Sequence, residues 1–484
     1  MRNAVHFLLG ERARALSDVD PSMTVLEYLR TVEHRCGTKE GCAEGDCGAC
    51  TVVLGEPDGN GGISYKAVNS CIQTVPVLDG KQLITVEDLR GDDGALHPVQ
   101  EAMCNEHASQ CGFCTPGFVM ALFAEWRNGM NGSRQGLKDA LAGNLCRCTG
   151  YGPILAAGEA LQRAPDKFDD AAKATAKALR ELDDGETVLL EHEGKRCFIP
   201  RNADELAEVY GANPDATIIA GLTDVGLWIT KLHRQLDTFI YLGDVGGLKA
   251  IKETPEGLRI FAAATLADAH PSLARLAPAM DGLMARFAGG QIRPAGTVCG
   301  NIANGSPIGD LPPCLIAFDA RLTLRKGSER REIALEDFFI DYGKQDRAKG
   351  EFVESVFVPR PADGEAFFCH KISKRFDQDI SAVMAAMKLR EDGGKVKDIR
   401  ICYGGMAGVP KRAANAEATL LGSPFDEKHV RAAMAAMEDD FTPLTDMRSS
   451  AAYRMAAAQN VLMRFLLESD GGEGTVDVRV VAHG

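Results

Sequence analysis

The stretch Gly41-Cys42-Ala43-Glu44-Gly45-Asp46-Cys47-Gly48-Ala49-Cys50 places three cysteines on a segment too rich in glycine to be regular secondary structure. Together with Cys71 the spacing is C-x4-C-x2-C-x20-C, and its first three cysteines match a plant-type two-iron, two-sulfide cluster. Residues 51–54 and 67–71 read as a strand and a returning segment that carries the fourth ligand. The stretch therefore predicts a [2Fe-2S] site close to the N-terminus.

A four-thiolate zinc site is the alternative, because zinc accepts the same residue type. Zinc sites usually combine two separate CxxC pairs, whereas here three cysteines share one glycine-rich loop. The spacing favours iron over zinc.

A second set of four cysteines follows with the spacing C-x2-C-x31-C-x-C, formed by Cys111, Cys114, Cys146 and Cys148. Thr115 is a candidate N-cap before Pro116, Ser133 is another cap, and Pro153 opens a further helix. Each cysteine pair then lies just before a helix, where the positive end of the helix dipole favours a thiolate-ligated cluster. A thioredoxin-like redox pair is the weaker alternative, because it leaves the second pair unexplained.

The length, charge and hydrophobic pattern of the chain limit the classes of protein to which it can belong. A chain of 484 residues exceeds one core of about 250–300 residues, so several domains are expected. The net charge of -14 argues against nucleic-acid binding and against docking on an anionic membrane. No run approaches the ~18 apolar residues of a membrane span or forms a signal-peptide core, so we expect a cytoplasmic protein.

In a reducing compartment, clustered cysteines indicate metal binding or catalysis before disulfides. The other seven cysteines are scattered and read as small buried hydrophobic residues without chemistry: Cys36, Cys104, Cys197, Cys299, Cys314, Cys369 and Cys402.

Three segments together resemble the molybdenum hydroxylases of the xanthine dehydrogenase and aldehyde oxidase family. They are GTKEGCAEGDCGACT at residues 37–51, QCGFCTPG at 110–117 and CRCTGY at 146–151. The resemblance implies a ferredoxin-like β-grasp domain over residues 1–82 and an all-helical four-helix bundle over 83–164, each holding one [2Fe-2S] cluster. It also implies that Gln110 contacts the molybdopterin of a neighbouring domain.

The rest of the chain reads as α+β, because strand-like and helical segments alternate after a charged, alanine-rich linker at residues 165–186. Two loops rich in glycine and small polar residues, at 220–224 and 296–306, would suit a pyrophosphate. Neither is the G-x-G-x-x-G of a Rossmann fold, and taken singly either could be a plain turn.

The resemblance implies that these segments form a flavin site within a two-part α+β FAD-binding domain at 187–364. An α/β flavoprotein C-terminal subdomain at 365–470 and a tail at 471–484 follow. Without the resemblance, Phe287 reads as a core aromatic, Asp310 as a turn residue and Lys371 as a surface charge. The implied FAD-binding residues are Ile218, Ile219, Ala220, Gly221, Leu222, Thr223, Asp224, Val225, Phe287, Thr297, Val298, Cys299, Gly300, Asn301, Ser306, Asp310, Val353 and Lys371.

Two iron–sulfur clusters and a flavin together convert single electrons into pairs for hydride delivery. The resemblance implies that electrons run from molybdenum to the helical-domain cluster, the β-grasp cluster, FAD and finally NAD. Substrate chemistry, and every catalytic residue for it, would belong to a molybdopterin-binding large subunit in a heterotetramer with two copies of each chain.

Cluster and flavin parts fused in one chain resemble the small subunit of bacterial xanthine dehydrogenases, which predicts oxidation of hypoxanthine and xanthine to urate by the partner. An equivalent subunit for an aldehyde or an N-heterocycle is the alternative within enzymes. A stand-alone iron–sulfur redox sensor is a further alternative, which the flavin loops disfavour because a sensor needs no hydride-delivering cofactor.

Overall fold

The computed structural model describes residues 1–91, 93–130 and 133–469. The predicted tail at 471–484 therefore lies outside the described residues. The described part has mixed α and β structure, and its hydrophobic core is divided among several clusters.

The first sheet is five-stranded, with β1 parallel to β5 and the other neighbours antiparallel. Its strands, in the spatial order β2-β1-β5-β3-β4, are β1 (Val5–Leu9), β2 (Arg12–Leu16), β3 (Thr51–Pro57), β4 (Ile63–Asn69) and β5 (Gln82–Ile84). A short helix α1 (Val25–Glu27) runs on into a π-helical turn, and Tyr28 packs edge-on against Phe7 beneath the sheet.

Four helices follow: α2 (Pro98–Asn105), α3 (Thr115–Arg127), α4 (Arg134–Leu141) and α5 (Gly152–Ala160). Ser133 caps α4 as predicted, by accepting the Gly136 N–H. The cap expected at Thr115 is wrong by one residue, because Thr115 is already helical and Cys114 is the N-cap. The Thr115 hydroxyl instead lies 2.7 Å from Ser109 Oγ.

Helix α6 (Lys167–Leu182) occupies the predicted linker. The expectation of partial helicity is confirmed, but the segment is not solvated along its whole length. One face, with Phe168, Ala176 and Leu179, is buried, and the helix contacts β1, β3 and β4. The linker is therefore packed onto the first sheet.

Two sheets with intervening helices form the region from residue 188 to 359. The first has the order β6-β7-β9-β8, with β6 (Val188–His192), β7 (Lys195–Ile199), β8 (Thr217–Ile219) and β9 (Thr238–Tyr241). The second has the order β10-β11-β16-β12-β13, with β10 (Ile251–Thr254), β11 (Gly257–Phe261), β12 (Arg321–Lys326), β13 (Glu329–Ala334) and β16 (Phe352–Pro359). A small hairpin is formed by β14 (Phe339–Asp341) and β15 (Lys344–Gln345).

The helices of this region are α7 (Ala203–Ala212), α8 (Val225–Thr230), α9 (Leu266–Leu276), α10 (Ala279–Arg286), α11 (Val298–Asn304), α12 (Leu311–Ala317) and α13 (Leu335–Phe338). Helix α11 corrects the sequence analysis, which assigned residues 296–306 to a loop. Thr297 caps this helix by accepting the Gly300 N–H at 2.9 Å, so the small residues that resembled a loop continue as a short helix.

The C-terminal part is an antiparallel sheet covered by helices. The strands are β17 (Glu365–Ile372), β18 (Val383–Asp392), β19 (Lys395–Gly404) and β20 (Lys411–Arg412), and the helices are α14 (Ala414–Leu420), α15 (Glu427–Asp440) and α16 (Ala451–Ser469). Val383, Ile401 and Phe465 lie in its separate buried core.

A network of charged side chains centred on the buried Lys81 and the partly buried Asp244 joins the first sheet to the region beginning at β6. Lys81 Nζ lies 2.6 Å from Asp244 Oδ2, and Lys249 Nζ lies 3.1 Å from Asp244 Oδ1. Lys66 and Lys249 also approach Glu56, at 3.2 and 3.8 Å. Burial alone would raise the pKa of Asp244, but the two ammonium groups outweigh burial and hold the pKa at about 2, below the ordinary value of 3.8.

We expect the contribution of Asp244 to stability to depend on pH. Because its pKa is depressed in the folded state, this contribution of about 2 kcal/mol is complete above pH ~4 and is lost as the pH falls towards 2. The stability difference between wild type and Asp244→Asn should therefore shrink over this interval, measured by denaturant unfolding at several pH values. The exposed Asp18, paired with His192 across the same two parts, provides the control Asp18→Asn. A difference for Asp244→Asn that stays constant with pH would contradict the assignment.

Candidate functional site: two cysteine sets and the predicted flavin segments

The first four cysteines converge at the loop that precedes β3. Cys42 Sγ accepts the backbone N–H groups of Asp46 and Cys47, both at 3.3 Å. The Cys42 thiol is hydrogen-bonded to those of Cys47 and Cys71, and the Cys50 thiol to that of Cys71. Cys50 and Cys71 are 1% and 2% exposed. The fold thus brings together the four residues that the spacing predicted.

Hydrogen bonds among these thiols shift their pKa values in opposite directions. Hydrogen bonds from Cys47 and Cys71 lower the pKa of Cys42, and the hydrogen bond from Cys71 lowers the pKa of Cys50. The pKa values of Cys47 and Cys71 are raised, first by their hydrogen bonds to these partners and then by burial. Cysteine binds a metal as the thiolate, so all four thiols must lose their protons when they ligate a cluster.

The second cysteine set also converges, at the starts of α3 and α5. The Cys111 thiol is hydrogen-bonded to Cys148, and the Cys114 thiol to Cys146. The Phe113 backbone N–H, followed by the bond from Cys148, lowers the pKa of Cys111. Burial raises the pKa of Cys114 to about 12. The expectation that both pairs precede a helix start is confirmed.

These sulfur sets suit two-iron clusters in number and in chemistry. Among the residues that the structure describes, no group of three or more His, Cys, Asp or Glu side chains is placed to hold a single metal ion. A [2Fe-2S] cluster needs no such group, because it takes two thiolates on each iron. The N–H donors to Cys42 are of the kind that tune the potential of a cluster. All fifteen cysteines are free thiols.

The other seven cysteines only partly match their expected burial. Cys36 and Cys104 are exposed and Cys369 is half-buried, which corrects the prediction for these three. The remaining members, Cys197, Cys299, Cys314 and Cys402, are buried as expected. Gln110, next to Cys111, is exposed.

The two cysteine sets are in direct backbone contact. The Leu145 N–H donates to the Cys47 carbonyl at 3.0 Å, and Leu145 immediately precedes Cys146. A Cβ placed on Gly117, in the first turn of α3, would lie 2.2 Å from the Gly48 carbonyl oxygen. Only glycine permits this approach, so a ligand loop of one set lies against the helix start of the other.

The first cysteine loop also contacts the region beyond residue 187. Thr230 Oγ1, on α8, donates to the Ala43 carbonyl at 2.7 Å, and Gln378 Nε2 donates to the Asp46 carbonyl at 3.0 Å. Gln73 Nε2, two residues after Cys71, donates to the Gly221 carbonyl at 2.9 Å. These contacts attach the first cysteine set to the loop predicted to bind FAD.

The two glycine-rich segments predicted for FAD lie side by side. A Cβ on Gly221 would lie 1.9 Å from the Ala295 carbonyl oxygen, and Leu222 has a φ of +61°. Asp224 is hydrogen-bonded to Asn304, at the end of α11. Asn301 Oδ1 is buried and has no hydrogen-bond partner among the residues that the structure describes, which leaves an acceptor available to a ligand between the segments.

A cleft opens beside these segments, between the first sheet and the region beyond residue 187. Ala220, Gly221, Ala263, Thr265 and Thr297 line one wall, and Val68, Gln73 and Lys81 lie on the other. Charged side chains line the cleft as well, namely Glu56, Lys66, Asp244, Lys249 and Asp268, several of which belong to the charge network described above.

Lys371 and Asp310 form a buried ion pair. Lys371 Nζ lies 2.5 Å from Asp310 Oδ2 and 3.0 Å from Ser381 Oγ, and Ser381 Oγ donates to the other Asp310 oxygen at 2.5 Å. Lys371 is 6% exposed and Asp310 5%. The reading of Lys371 as a surface charge is therefore wrong, and Asp310 is more than a turn residue.

The other predicted flavin residues are distributed around these two features. Ile218, Ile219 and Ala220 form the end of β8 and the start of its loop, Val225 opens α8, and Ser306 follows α11. Phe287 and Val353 are buried in the main core, so the reading of Phe287 as a core aromatic also fits. Cys299 Sγ lies 3.6 Å from the Ile260 carbonyl, which directs the Cys299 side chain into that core.

Sequence reasoning missed several residues that connect the site: Gln73, Thr230, Gln378 and Ser381. Each is an ordinary polar residue in its local sequence, without a motif around it. Only the proximity of Gln73 to Cys71 and of Ser381 to Lys371 could have drawn attention to two of them.

No helix in the described ranges is long and apolar enough to cross a membrane.

Three family models match this chain. The model described as [2Fe-2S] binding domain matches residues 85–159. The model described as FAD binding domain in molybdopterin dehydrogenase matches residues 192–361, and that of the CO dehydrogenase flavoprotein C-terminal domain matches 368–469.

Curated proteins similar to this chain include xanthine dehydrogenases. That of Emericella nidulans is 31% identical over 545 aligned residues, which cover 99% of this chain and 40% of that protein. Xanthine dehydrogenase 2 of Arabidopsis thaliana is 32% identical over 90% of this chain and 38% of its own length. The chain thus spans about 40% of the length of these relatives.

Solved structures similar to this chain include two carbon monoxide dehydrogenases. A chain of the cyanide-inactivated Cu,Mo-CO dehydrogenase is 26% identical with a TM-score of 0.52, over 55% of this chain and 94% of its own. A chain of the Hydrogenophaga pseudoflava enzyme is 29% identical with a TM-score of 0.52, over 55% of this chain and 93% of its own.

Proposed function

We propose that this chain belongs to the molybdenum hydroxylase family and is the electron-transfer subunit of a xanthine dehydrogenase, which its three domain matches support. Cys42, Cys47, Cys50 and Cys71 would hold one [2Fe-2S] cluster in a ferredoxin-like domain. Cys111, Cys114, Cys146 and Cys148 would hold the other cluster in a helical bundle. The segments around Gly221, Thr297 and Lys371 would hold FAD.

The observation that carries this proposal is the continuity of contacts between the two cysteine sets and the flavin segments. Leu145, next to Cys146, donates to the carbonyl of Cys47 at 3.0 Å. The loop of Cys47 is in turn bonded to Thr230 and Gln378, which belong to the predicted flavin region. Clusters bound here would carry single electrons, and a bound flavin would deliver them as pairs.

The exposure of the cysteines supports one order for the proposed route. Cys111 and Cys148 are exposed, whereas Cys50 and Cys71 are buried against the predicted flavin region. Electrons would therefore enter at the second cysteine set, from a molybdopterin-binding large subunit that faces it and Gln110. They would then pass to the first set, to FAD and to NAD in the cytoplasm.

Xanthine is the proposed substrate of the partner, because the chain resembles xanthine dehydrogenases over most of its length. The assembly would be a heterotetramer with two copies of each chain, as in bacterial xanthine dehydrogenases with a separate small subunit.

The test is NAD reduction by the complex purified from the native cell. Xanthine and hypoxanthine should support turnover, and members of an aldehyde and N-heterocycle panel should not. Turnover with compounds of the panel alone would mean that the partner acts on another substrate, and the proposed electron-transfer role would stand. Recovery of the chain with bound iron but without flavin or a molybdopterin partner would favour the redox sensor.

A further inference from the structure

A buried pair of amide side chains joins three parts of the chain between the cysteine sets. Asn144 is 3% exposed and Gln291 is 1% exposed. Gln291 Nε2 donates to Asn144 Oδ1 at 2.5 Å, and Asn144 Nδ2 donates to the Gly48 carbonyl at 3.0 Å. Asn144 stands two residues before Cys146, and Gly48 follows Cys47. Two hydrogen bonds thus tie both ligand loops to the region that holds the predicted flavin segments.

Glycines let the three backbones meet at this junction. A Cβ on Gly143 would lie 1.4 Å from Gln291 Oε1, and one on Gly289 would lie 2.9 Å from the Gly143 Cα. A Cβ on Gly48, where φ is +68°, would lie 2.3 Å from the Gly143 carbonyl oxygen. No side chain larger than hydrogen fits at these positions without a shift, so the three segments are in the closest contact that a backbone allows.

The side-chain oxygen of Gln291 is expected to reduce the stability of the fold. Its Oε1 is buried, accepts no hydrogen bond among the described residues, and faces the Gly143 backbone, where only a weak C–H contact is available. An unpaired buried acceptor destabilises a fold. An apolar side chain would avoid that cost, but it would lose the bond to Asn144.

We propose that Asn144 and Gln291 are positioning residues that fix the separation between the two cysteine sets and the flavin region. Asn144 donates to the Gly48 carbonyl and its neighbour Leu145 donates to the Cys47 carbonyl, so one short segment fixes two successive peptide groups at a predicted ligand. This inference rests on the proposed function, because the separation matters when electrons cross it.

The test is Asn144→Ala in the full chain with its clusters, studied by EPR and by hydrogen exchange. Iron content and both cluster signals should be retained, because no ligand is removed. The magnetic splitting between the two reduced clusters should decrease, because it falls steeply with separation. The Leu145 amide should exchange about tenfold faster, as expected for a local opening eased by one lost hydrogen bond.

Asn128→Ala is the matched control. Asn128 also joins the helical part to the first sheet, with hydrogen bonds of 2.6 and 3.3 Å to the Tyr65 backbone, but it lies at the far end of α3 from Cys114. This control should leave the splitting unchanged. A second variant, Gln291→Met, keeps the hydrogen bond from Asn144 to Gly48 and should give a smaller decrease in the splitting. This variant keeps the inference testable if Asn144→Ala fails to fold.

The inference would be overturned if Asn144→Ala kept the wild-type splitting and the wild-type Leu145 exchange. It would also be overturned if Asn128→Ala changed the splitting as much. Failure of the proposed function looks different, because the wild-type chain itself would then lack two cluster signals.

Discussion

If the proposed function holds, a Cys148→Ala variant is expected to lose one iron–sulfur cluster, keep the other, and stop electron transfer from the proposed molybdenum partner to NAD. Cys148 is exposed and paired with Cys111, so its loss leaves the second set with three thiolates without opening a buried cavity. Iron content should fall from about four to about two per chain. One of two EPR signals should disappear, and NAD reduction by the complex should fall to background.

Cys104→Ala provides the control for this experiment. Cys104 is also exposed and belongs to α2 of the same helical part, but it is not among the predicted ligands. This variant should keep both signals and full turnover. If Cys148→Ala also kept its NAD reduction, the route through the second cluster would be refuted.

A Lys371→Met variant is expected to lose flavin and to be less stable. The substitution leaves the buried Asp310 carboxylate with Ser381 as its remaining partner in the ion-pair triad. Removing one partner of a buried pair typically costs about 3–5 kcal/mol. The variant should be purified with iron but with little FAD, and its unfolding temperature should fall.

Two further variants separate the loss of flavin from the loss of stability. Lys388 lies on the adjacent strand β18 and pairs with Glu365 at 3.4 Å, so Lys388→Met should retain FAD. The double variant Lys371→Met/Asp310→Asn removes both charges and should recover stability without recovering flavin. Retention of FAD by Lys371→Met would show that this pair is only part of the core.

The convergence of the two cysteine sets was predictable from the sequence because their spacing is largely local. The motif from Cys42 to Cys50 lies within one loop, and the two cysteines of each pair in the second set are separated by at most two residues. The fold then needed only to bring Cys71 and the two pairs into place. The strand predicted at residues 51–54 and the helix capped by Ser133 are also present, as parts of β3 and as α4.

Contacts between distant parts of the chain were not predictable in this way. Asn144 and Gln291 are separated by 147 residues, and nothing in the neighbouring sequence of either residue indicates a buried amide pair. Helix α11 was missed because its Gly300 and small polar residues resemble a loop, and the cap at Thr297 becomes visible only in the structure. The burial of Lys371 is explained by its ion pair with Asp310, which lies 61 residues away in the sequence.

The central claim is that this chain carries two [2Fe-2S] clusters and a flavin as one electron relay. The most direct test is an anaerobic reductive titration of the purified chain followed by EPR, with iron and zinc determined on the same sample. Two distinct signals are expected, each corresponding to about one spin per chain, with about four irons. A single signal, or zinc in place of iron, would contradict the account.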